Sequence, residues 1–266
     1  MMIRATRTEK IPWTQLFSLV YQIWRRDFLQ FRRTWLISVI WIIMEPLFIL
    51  GSIGFGLGSY VSTIQGVSYV EFFYPGLICS SSMFVAYFVS TYDNFTKLTH
   101  QQLFATFMLS PMEAREIVLG EVLWAATKGT ISAAGVSVIA SFFGLVESWY
   151  ILPAMLIVFL SSVVFAAFGM LVTTFVENYD QIIYPSSGLI IPMSLFSGTY
   201  FPIEHLPVVL KYLVYIFPLT HAVRAVRALL LDGFDGGMVL NCFYLIVLAY
   251  FLVHWSAVRL NNKILN

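Results

Sequence analysis

The chain has 266 residues, of which 59% are hydrophobic and only 11% are charged. A soluble domain has about 25% charged residues, so this chain cannot cover its surface with polar groups and lipid must cover it instead. The net charge of +1 excludes nucleic acid as a partner, since nucleic-acid binding calls for a strongly basic face. The composition therefore predicts an all-α integral membrane protein.

Residues 12–33 precede the first long apolar stretch and have helical periodicity. Apolar side chains recur at steps of three and four, and polar side chains fill the other side, which predicts an amphipathic helix in the headgroup plane. An ordinary helix flanking the membrane, without a mechanical role, would have the same pattern. The apolar positions are Trp13, Leu16, Phe17, Val20, Ile23, Trp24, Phe28 and Phe31.

Six stretches approach or exceed the roughly 20 apolar residues that cross the hydrocarbon core. We predict an N-terminal tail and interfacial helix over 1–33 and a transmembrane domain over 34–266. The cysteines Cys79 and Cys242 lie in apolar runs and are expected to be buried free thiols. The predicted spans are 34–58, 72–91, 118–143, 150–176, 182–200 and 238–258.

Two glutamates and one lysine lie inside the predicted spans, where a charge is costly and usually faces protein or a wet cavity. Glu45, next to Pro46, interrupts the first span and is expected either to line a protein interface or to stay neutral or paired in the bundle. Glu121 and Lys128 are two turns apart on one face of the third span, too far for ideal pairing, so each is expected to have a partner elsewhere.

The connection between the second and third spans has an apolar edge and a polar edge that includes Lys97. We predict a short helix held between two spans, where it can receive force from a partner; a solvated connector would fit the same periodicity. Pro111 ends this helix and can begin the next one, and Glu113 favours the positive end of that next helix. The apolar edge consists of Phe95, Leu98, Phe104, Phe107 and Met108.

The segment 201–231 is apolar but broken. Gly198 allows a turn, Pro202 begins a new stretch, and Pro218 ends it after about 14 residues, too few to cross. Because short apolar helices at membrane depth must be covered by protein or line a cavity, we predict a re-entrant hairpin that forms an outer lid. Its polar groups either contact a substrate head group at the exit or pair with one another; they are Glu204, His205, His221, Arg224 and Arg227.

Lysine and arginine residues set the expected orientation. They are frequent before the first span, present between the second and third spans and in the C-terminal tail, and absent from 59–71 and 144–149. Lys211, Arg224 and Arg227 weaken this asymmetry without reversing it. Both termini are therefore expected in the cytoplasm.

The motifs of nucleotide hydrolysis and metal catalysis are missing. The sequence has no G-x-x-x-x-G-K-[ST] phosphate loop and no H-E-x-x-H zinc pair. We therefore expect no catalytic, cofactor or metal site on this chain and no ATP hydrolysis by the chain alone.

Several motifs resemble those of ABC-2 type export permeases. "LFSGTYFPIEHLP" followed by "FPLTHAVRAVRALLL" is similar to their C-terminal signature. "RRTW", "FFYPGL", "STYDNFTKL", "IVLGEVLWAATKG" and "NYD" resemble the nodulation protein J branch, which exports lipo-chitooligosaccharide signals. The likeness covers nearly the whole chain, and the combination of motifs is specific.

The resemblance implies a dimeric permease in the bacterial inner membrane, with a separate ATP-binding cassette subunit that carries ATP and Mg. It assigns the lid to residues that include Phe201, Pro202 and Pro218, and dimer contacts to spans one and five. An ion-coupled carrier or a channel without an ATPase partner is the alternative. The residues expected to contact the cassette subunit are Phe95, Leu98, Phe104, Phe107, Pro111, Glu113 and Arg115.

Overall fold

The structure is a computed structural model that describes residues 13–61, 63–146 and 149–265. Helices dominate it, with one small antiparallel hairpin, β1 (Thr63–Ile64) and β2 (Val67–Ser68), before α3. The helices are α1 (Trp13–Arg33), α2 (Trp35–Leu57), α3 (Tyr69–His100), α4 (Leu103–Leu109), α5 (Ala114–Phe142), α6 (Ile151–Phe175), α7 (180–196), α8 (Val208–Val214), α9 (Pro218–Leu231) and α10 (Gly236–Leu265), with a 3-10 turn at Ile203–His205.

Within the described residues, five helices are long and apolar enough to cross a membrane: α2, α3, α5, α6 and α10. The predicted span 182–200 corresponds to α7, whose 17 residues rise at most about 26 Å, less than the roughly 30 Å of a hydrocarbon core. Helices α8 and α9 meet at 86°, the geometry of a broken span or of a re-entrant segment. Five or six crossings therefore fit the described chain.

The centre of the bundle consists of α3, α5 and α6, which approach closely at small residues. A Cβ on Gly129 of α5 would lie 2.7 Å from the carbonyl oxygen of Ser82, and a Cβ on Gly169 of α6 would lie 2.7 Å from that of Tyr87. Both contacts are with the backbone of α3, so no side-chain adjustment would relieve them. Such small-residue contacts are the usual means of tight helix packing in membranes.

Helix α1 packs against α5 and is amphipathic as predicted, but its buried face is narrower than expected. Val20 and Ile23 are buried, whereas Phe17 and Phe28 are exposed. A Cβ on Gly120 would come within 2.6 Å of Ile23, so only glycine accommodates α1 at this position of α5. The described helix begins at residue 13, and the predicted cationic tail, with Arg4, Arg7 and Lys10, lies outside the described residues.

Wide π-helical turns interrupt several helices. In the described chain, α5 and α6 contain none. Such turns are rare in proteins, and those that occur often lie at functional sites. They occur at Leu50–Leu57 in α2, Val89–Asp93 and Thr96–His100 in α3, Ser186–Ile190 in α7 and Ala228–Asp232 across the end of α9.

Candidate functional site

The bundle has two distinct ends, because α3 runs from the β1–β2 hairpin to α4. The α4 end carries the connection between α3 and α5, and the hairpin end carries the segment 201–231. At the α4 end, α3 continues to His100, well beyond the predicted end of its span at residue 91. The chain then turns at Gln102, whose φ is +48°, and forms α4. The single helix expected around 95–108 is therefore wrong, because Phe95 and Leu98 belong to the end of α3.

Two of the predicted partner contacts at the α4 end are buried inside this chain. Phe95 and Phe104 are fully buried, and Leu98 and Phe107 are half-buried against the core. The predicted apolar edge thus faces the bundle at Phe95 and Phe104, because α4 lies against the bundle and turns its aromatic side inward. The outward side carries Leu109, 89% exposed.

The chain after α4 is arranged around the start of α5. Helix α4 ends at Leu109, as the position of Pro111 predicted, but the next helix begins at Ala114 rather than at the proline. Glu113 caps α5, and Glu116 Oε2 accepts a hydrogen bond of 2.6 Å from the backbone N–H of Glu113. Pro111, Glu113 and Arg115 are exposed beside Leu109.

Four charged side chains form a closed ion-pair network where α1, α3 and α5 meet. Arg26 Nη2 donates to Asp27 Oδ1 at 2.7 Å and to Glu121 Oε1 at 2.8 Å. Lys97 Nζ donates to Asp27 Oδ2 at 3.1 Å and to Glu121 Oε2. Each carboxylate thus binds both cations, and the network has no net charge. Pairing of opposite charges makes their burial tolerable, although Arg26 Nη1 is buried without a hydrogen-bond partner among the described residues.

The main correction at this site concerns Lys97, which was predicted to lie on the polar edge of the connection. Its side chain is only 10% exposed, because the extended α3 carries it into the bundle toward two carboxylates. Asp27 was not anticipated at all. A signal was available, since Asp27 follows Val20 and Ile23 at helical spacing and is the one acid on the buried side of α1.

Arg26 also joins this network to α4. Its guanidinium carbon lies 5.0 Å from the centre of the Phe107 ring, within cation–π range. Burial alone would lower the pKa of Arg26, but the carboxylates of Glu121 and Asp27 outweigh burial and raise that pKa above its ordinary value. The guanidinium is therefore a permanent charge that holds α1, α4 and α5 together.

The other predicted intramembrane charges differ in their surroundings. Lys128 Nζ donates to Asp93 Oδ2 at 3.3 Å and lies 5.5 Å from the centre of the Trp124 ring. Glu121 and Lys128 thus have separate partners on other elements, and Glu121 is 1% exposed. Glu45 is exposed on the outward face of α2 and interacts electrostatically with Tyr200.

At the hairpin end, Arg227 fastens α9 to two other elements. Its Nε and Nη2 donate to the carbonyl oxygen of Phe72 at 3.2 and 3.1 Å, and Nη2 donates to that of Gly198 at 2.7 Å. The guanidinium carbon also lies 3.8 Å from the centre of the Phe72 ring. Gly198 has a φ of +82°, which explains why glycine occupies this turn.

The polar groups of the segment 201–231 contact the rest of the bundle more than one another, although Glu204 and Arg227 interact electrostatically. In the described chain, no salt bridge joins Glu204, His205, His221, Arg224 and Arg227; Glu204 and His205 are exposed. His221 contacts Asn241 Oδ1 at 2.8 Å and the carbonyl oxygen of Tyr215 at 2.9 Å, and Arg224 lies 5.3 Å from the centre of the Tyr215 ring. Pro218 is the first residue of α9.

An open cleft of about 600 Å³ lies beside this segment. Phe201, which was predicted for the lid, is part of its wall, while Pro202 is buried. The cleft is mostly apolar with a few hydroxyl groups, a surface suited to an amphiphile. Its lining residues are Ser52, Ile53, Gly56, Leu57, Tyr60, Val61, Ile64, Tyr69, Tyr200 and Phe201.

Neither end has the arrangement of a metal centre. Across the described residues, no group of three or more His, Cys, Asp or Glu side chains is placed to hold a metal ion. Both cysteines are free; Cys79 is buried and Cys242 half-buried. The described chain thus has an exposed surface at the α4 end and an open, mostly apolar cleft at the hairpin end.

Comparison with known proteins identifies the family. The sequence model of the ABC-2 type transporter family matches residues 18–231, and the chain belongs to this family. Its members are membrane transport components, so the prediction of an all-α integral membrane permease is confirmed. Among solved structures, none matches this chain significantly.

The relatives are transport and nodulation proteins of similar length. Nodulation protein J of Rhizobium leguminosarum bv. viciae is 31% identical over 241 residues, which cover 89% of this chain and 92% of that protein. Nodulation protein J of Sinorhizobium fredii is 28% identical over 255 residues, covering 96% and 95%. The inner membrane transport permease YadH of Escherichia coli is 26% identical over 243 residues, covering 89% and 93%.

Proposed function

We propose that this chain is the permease subunit of an ATP-driven exporter in the bacterial inner membrane. Its substrate class is an amphiphilic glycolipid, a lipo-oligosaccharide or a similar molecule that moves outward. ATP and Mg are held by a separate cassette subunit, since this chain has no phosphate loop. The distribution of lysine and arginine supports placing the α4 end and both termini in the cytoplasm.

The observation that carries the proposal is the exposed surface beside α4. Leu109 is almost fully exposed on a helix whose other side is anchored by the buried Phe104 and by Arg26 over Phe107. A firmly held helix with an exposed leucine, next to the polar groups of Glu113 and Arg115, is suited to fit a groove on a partner subunit. This surface replaces the wider set of aromatic contacts expected from sequence.

A second copy of the chain is the proposed partner within the membrane. Helix α2 exposes Glu45 among large apolar side chains that include Trp41 and Phe48. A carboxylate exposed to lipid is costly, so protein covering this face would remove the cost. Helix α7 also exposes an apolar face, with Ile183 and Tyr184. Both faces belong to the first and fifth predicted spans, which the family resemblance assigns to dimer contacts.

The cleft at the hairpin end is the proposed exit for the amphiphile. Tyr69 Oη donates to the carbonyl oxygen of Tyr200 at 3.2 Å, so one wall of the cleft is braced against α3. Its aromatic and aliphatic lining can accommodate an acyl chain or the apolar face of a sugar ring. The position beside the segment 201–231 agrees with a lid that opens toward the outer side.

The test is co-purification with an ATP-binding cassette subunit from the same organism. We expect Leu109→Asp to abolish recovery of that subunit and the ATP hydrolysis that depends on the permease. Leu265→Asp is the matched control, because Leu265 is exposed in the last turn of α10 and far from α4 in the chain. Normal complex formation by Leu109→Asp would contradict the assignment. Transport by the purified chain alone would instead favour the ion-coupled carrier or channel.

A further inference from the structure

Tyr179, which is 38% exposed, lies in an aromatic pocket on the surface, formed by the last turns of α3. Its ring lies 4.7 Å from that of Phe95, edge to face, and is stacked 5.6 Å from His100 and 6.2 Å from Tyr92, measured between ring centres. Its hydroxyl oxygen is 2.8 Å from Thr96 Oγ1. One side chain from the α6–α7 connection is thus held by four residues at the end of α3 that leads to α4.

Tyr179 stands immediately before the first residue of α7. Asn178 Oδ1 accepts a hydrogen bond of 3.0 Å from the N–H of Gln181, which secures the start of that helix. The other end of the connection is held by α10, because Lys263 Nζ donates to the carbonyl oxygen of Val176 at 2.8 Å. With so short a connection, a displacement of the Tyr179 ring is transmitted to the start of α7.

The elements on both sides of Tyr179 have the features of moving parts. The pocket includes the π-helical turn Thr96–His100, and α7 contains another at Ser186–Ile190. Helix α7 buries one side, including Ile182, and exposes the other. Apart from Tyr179, the start of α7 is attached to α3 by a hydrogen bond of 3.2 Å between Ser186 Oγ and Tyr87 Oη.

We infer that Tyr179 is a positioning residue through which movement of the α3–α4 segment reaches α7. This inference rests on the proposed function, in which the cassette subunit moves α4. When the end of α3 shifts together with the parts of α1 and α5 that are ion-paired to Lys97, the pocket carries Tyr179 with it and displaces the start of α7, while Lys263 keeps the end of α6 in place. The α7 helix then reorients against α6 and the remaining turns of α3 and α5.

The experiment measures a distance in the assembled complex. Spin labels are placed at Ser187→Cys on α7 and Val258→Cys on α10, both exposed, in a Cys242→Ser background; Cys79 is fully buried. We expect trapped nucleotide to shift the distance between the labels, as measured by double electron–electron resonance. Tyr179→Ala should abolish this shift, and Tyr179→Phe, which loses only the hydroxyl contact, should retain most of it.

Transport assays distinguish a positioning role from a structural one. Export by the Tyr179→Ala complex should fall about tenfold while complex recovery and ATP hydrolysis stay within about twofold of wild type, a size typical of coupling residues. A structural role would lower all three together. The matched control is Tyr250→Ala, which removes a tyrosine that is 68% exposed on α10 and should change none of them.

Two results would overturn the inference. A wild-type distance shift that persists unchanged in Tyr179→Ala would refute the role of Tyr179 and leave the proposed function standing. A wild-type complex that shows no nucleotide-dependent shift would also refute it, because there would be no movement for Tyr179 to transmit; the proposed function is decided separately, by recovery of the cassette subunit and by ATP hydrolysis.

Discussion

The ion-pair network can be tested by removing its least exposed cation. Lys97→Met deletes two charge-assisted hydrogen bonds, each contributing about 1.5–3 kcal/mol, and leaves Glu121 and Asp27 to share Arg26. Since breaking a buried ion pair by removing one partner costs about 3–5 kcal/mol, we expect a loss of that size in the free energy of unfolding. Glu121→Gln leaves an excess positive charge instead and should cost a similar amount.

A double-mutant cycle measured by denaturant unfolding of the detergent-solubilised protein separates pairing from packing. The double variant Lys97→Met with Glu121→Gln restores neutrality, so it should cost about 2 kcal/mol less than the sum of the single variants. Lys128→Met is the control: its partner Asp93 is 46% exposed, and a pair open to solvent contributes only about 0–1 kcal/mol. Additive single effects, or a Lys97→Met effect no larger than that of Lys128→Met, would refute the reasoning.

Two further perturbations test the packing of the core and of the segment 201–231. Gly169→Ala places a Cβ against the carbonyl oxygen of Tyr87 and should destabilise the protein by about 1–3 kcal/mol; Gly188→Ala, with no atom within 4 Å of its new Cβ, is the control and should be neutral or slightly stabilising in thermal unfolding. Arg227→Met removes the hydrogen bonds to Phe72 and Gly198. It should increase amide hydrogen exchange in 201–231 without changing exchange in α6. An equal change in exchange in both regions would show that Arg227 does not hold the segment in place.

Local composition predicted most of the helices, because the cost of exposing backbone to lipid acts on each stretch separately. The amphipathic α1, four of the long spans in position and the break at Pro218 all follow from hydropathy, periodicity and proline. The prediction of a full span at 182–200 was less accurate, because two prolines and a π-helical turn shorten α7. The end of α3 was placed too early because polar residues such as Asn94 and Lys97 signal a loop when their partners are not known.

The site residues depended on contacts between segments distant in sequence, which local patterns do not contain. Lys97 is buried only because Asp27 and Glu121 lie opposite it. The apolar side chain of Phe104 would suit a partner surface and the interior of its own bundle equally well. In the structure it is buried in its own bundle. Tyr179 belongs to the "NYD" motif noted in the sequence. The role inferred for it depends on a pocket whose residues lie about 80 positions earlier in the chain.

The π-helical turns lie in some helices and not in others, and this distribution decides which parts of the molecule can rotate. Each such turn carries one residue more than a regular turn, so deleting a residue from Thr96–His100 would restore ordinary winding and rotate everything beyond it by about 100°. A change from π-helical to α-helical winding in the intact sequence would also rotate the part of the helix beyond the turn. The plain α5 and α6 would then stay in place, and the parts of α2, α3, α7 and α9 that follow a π-helical turn would rotate beside them.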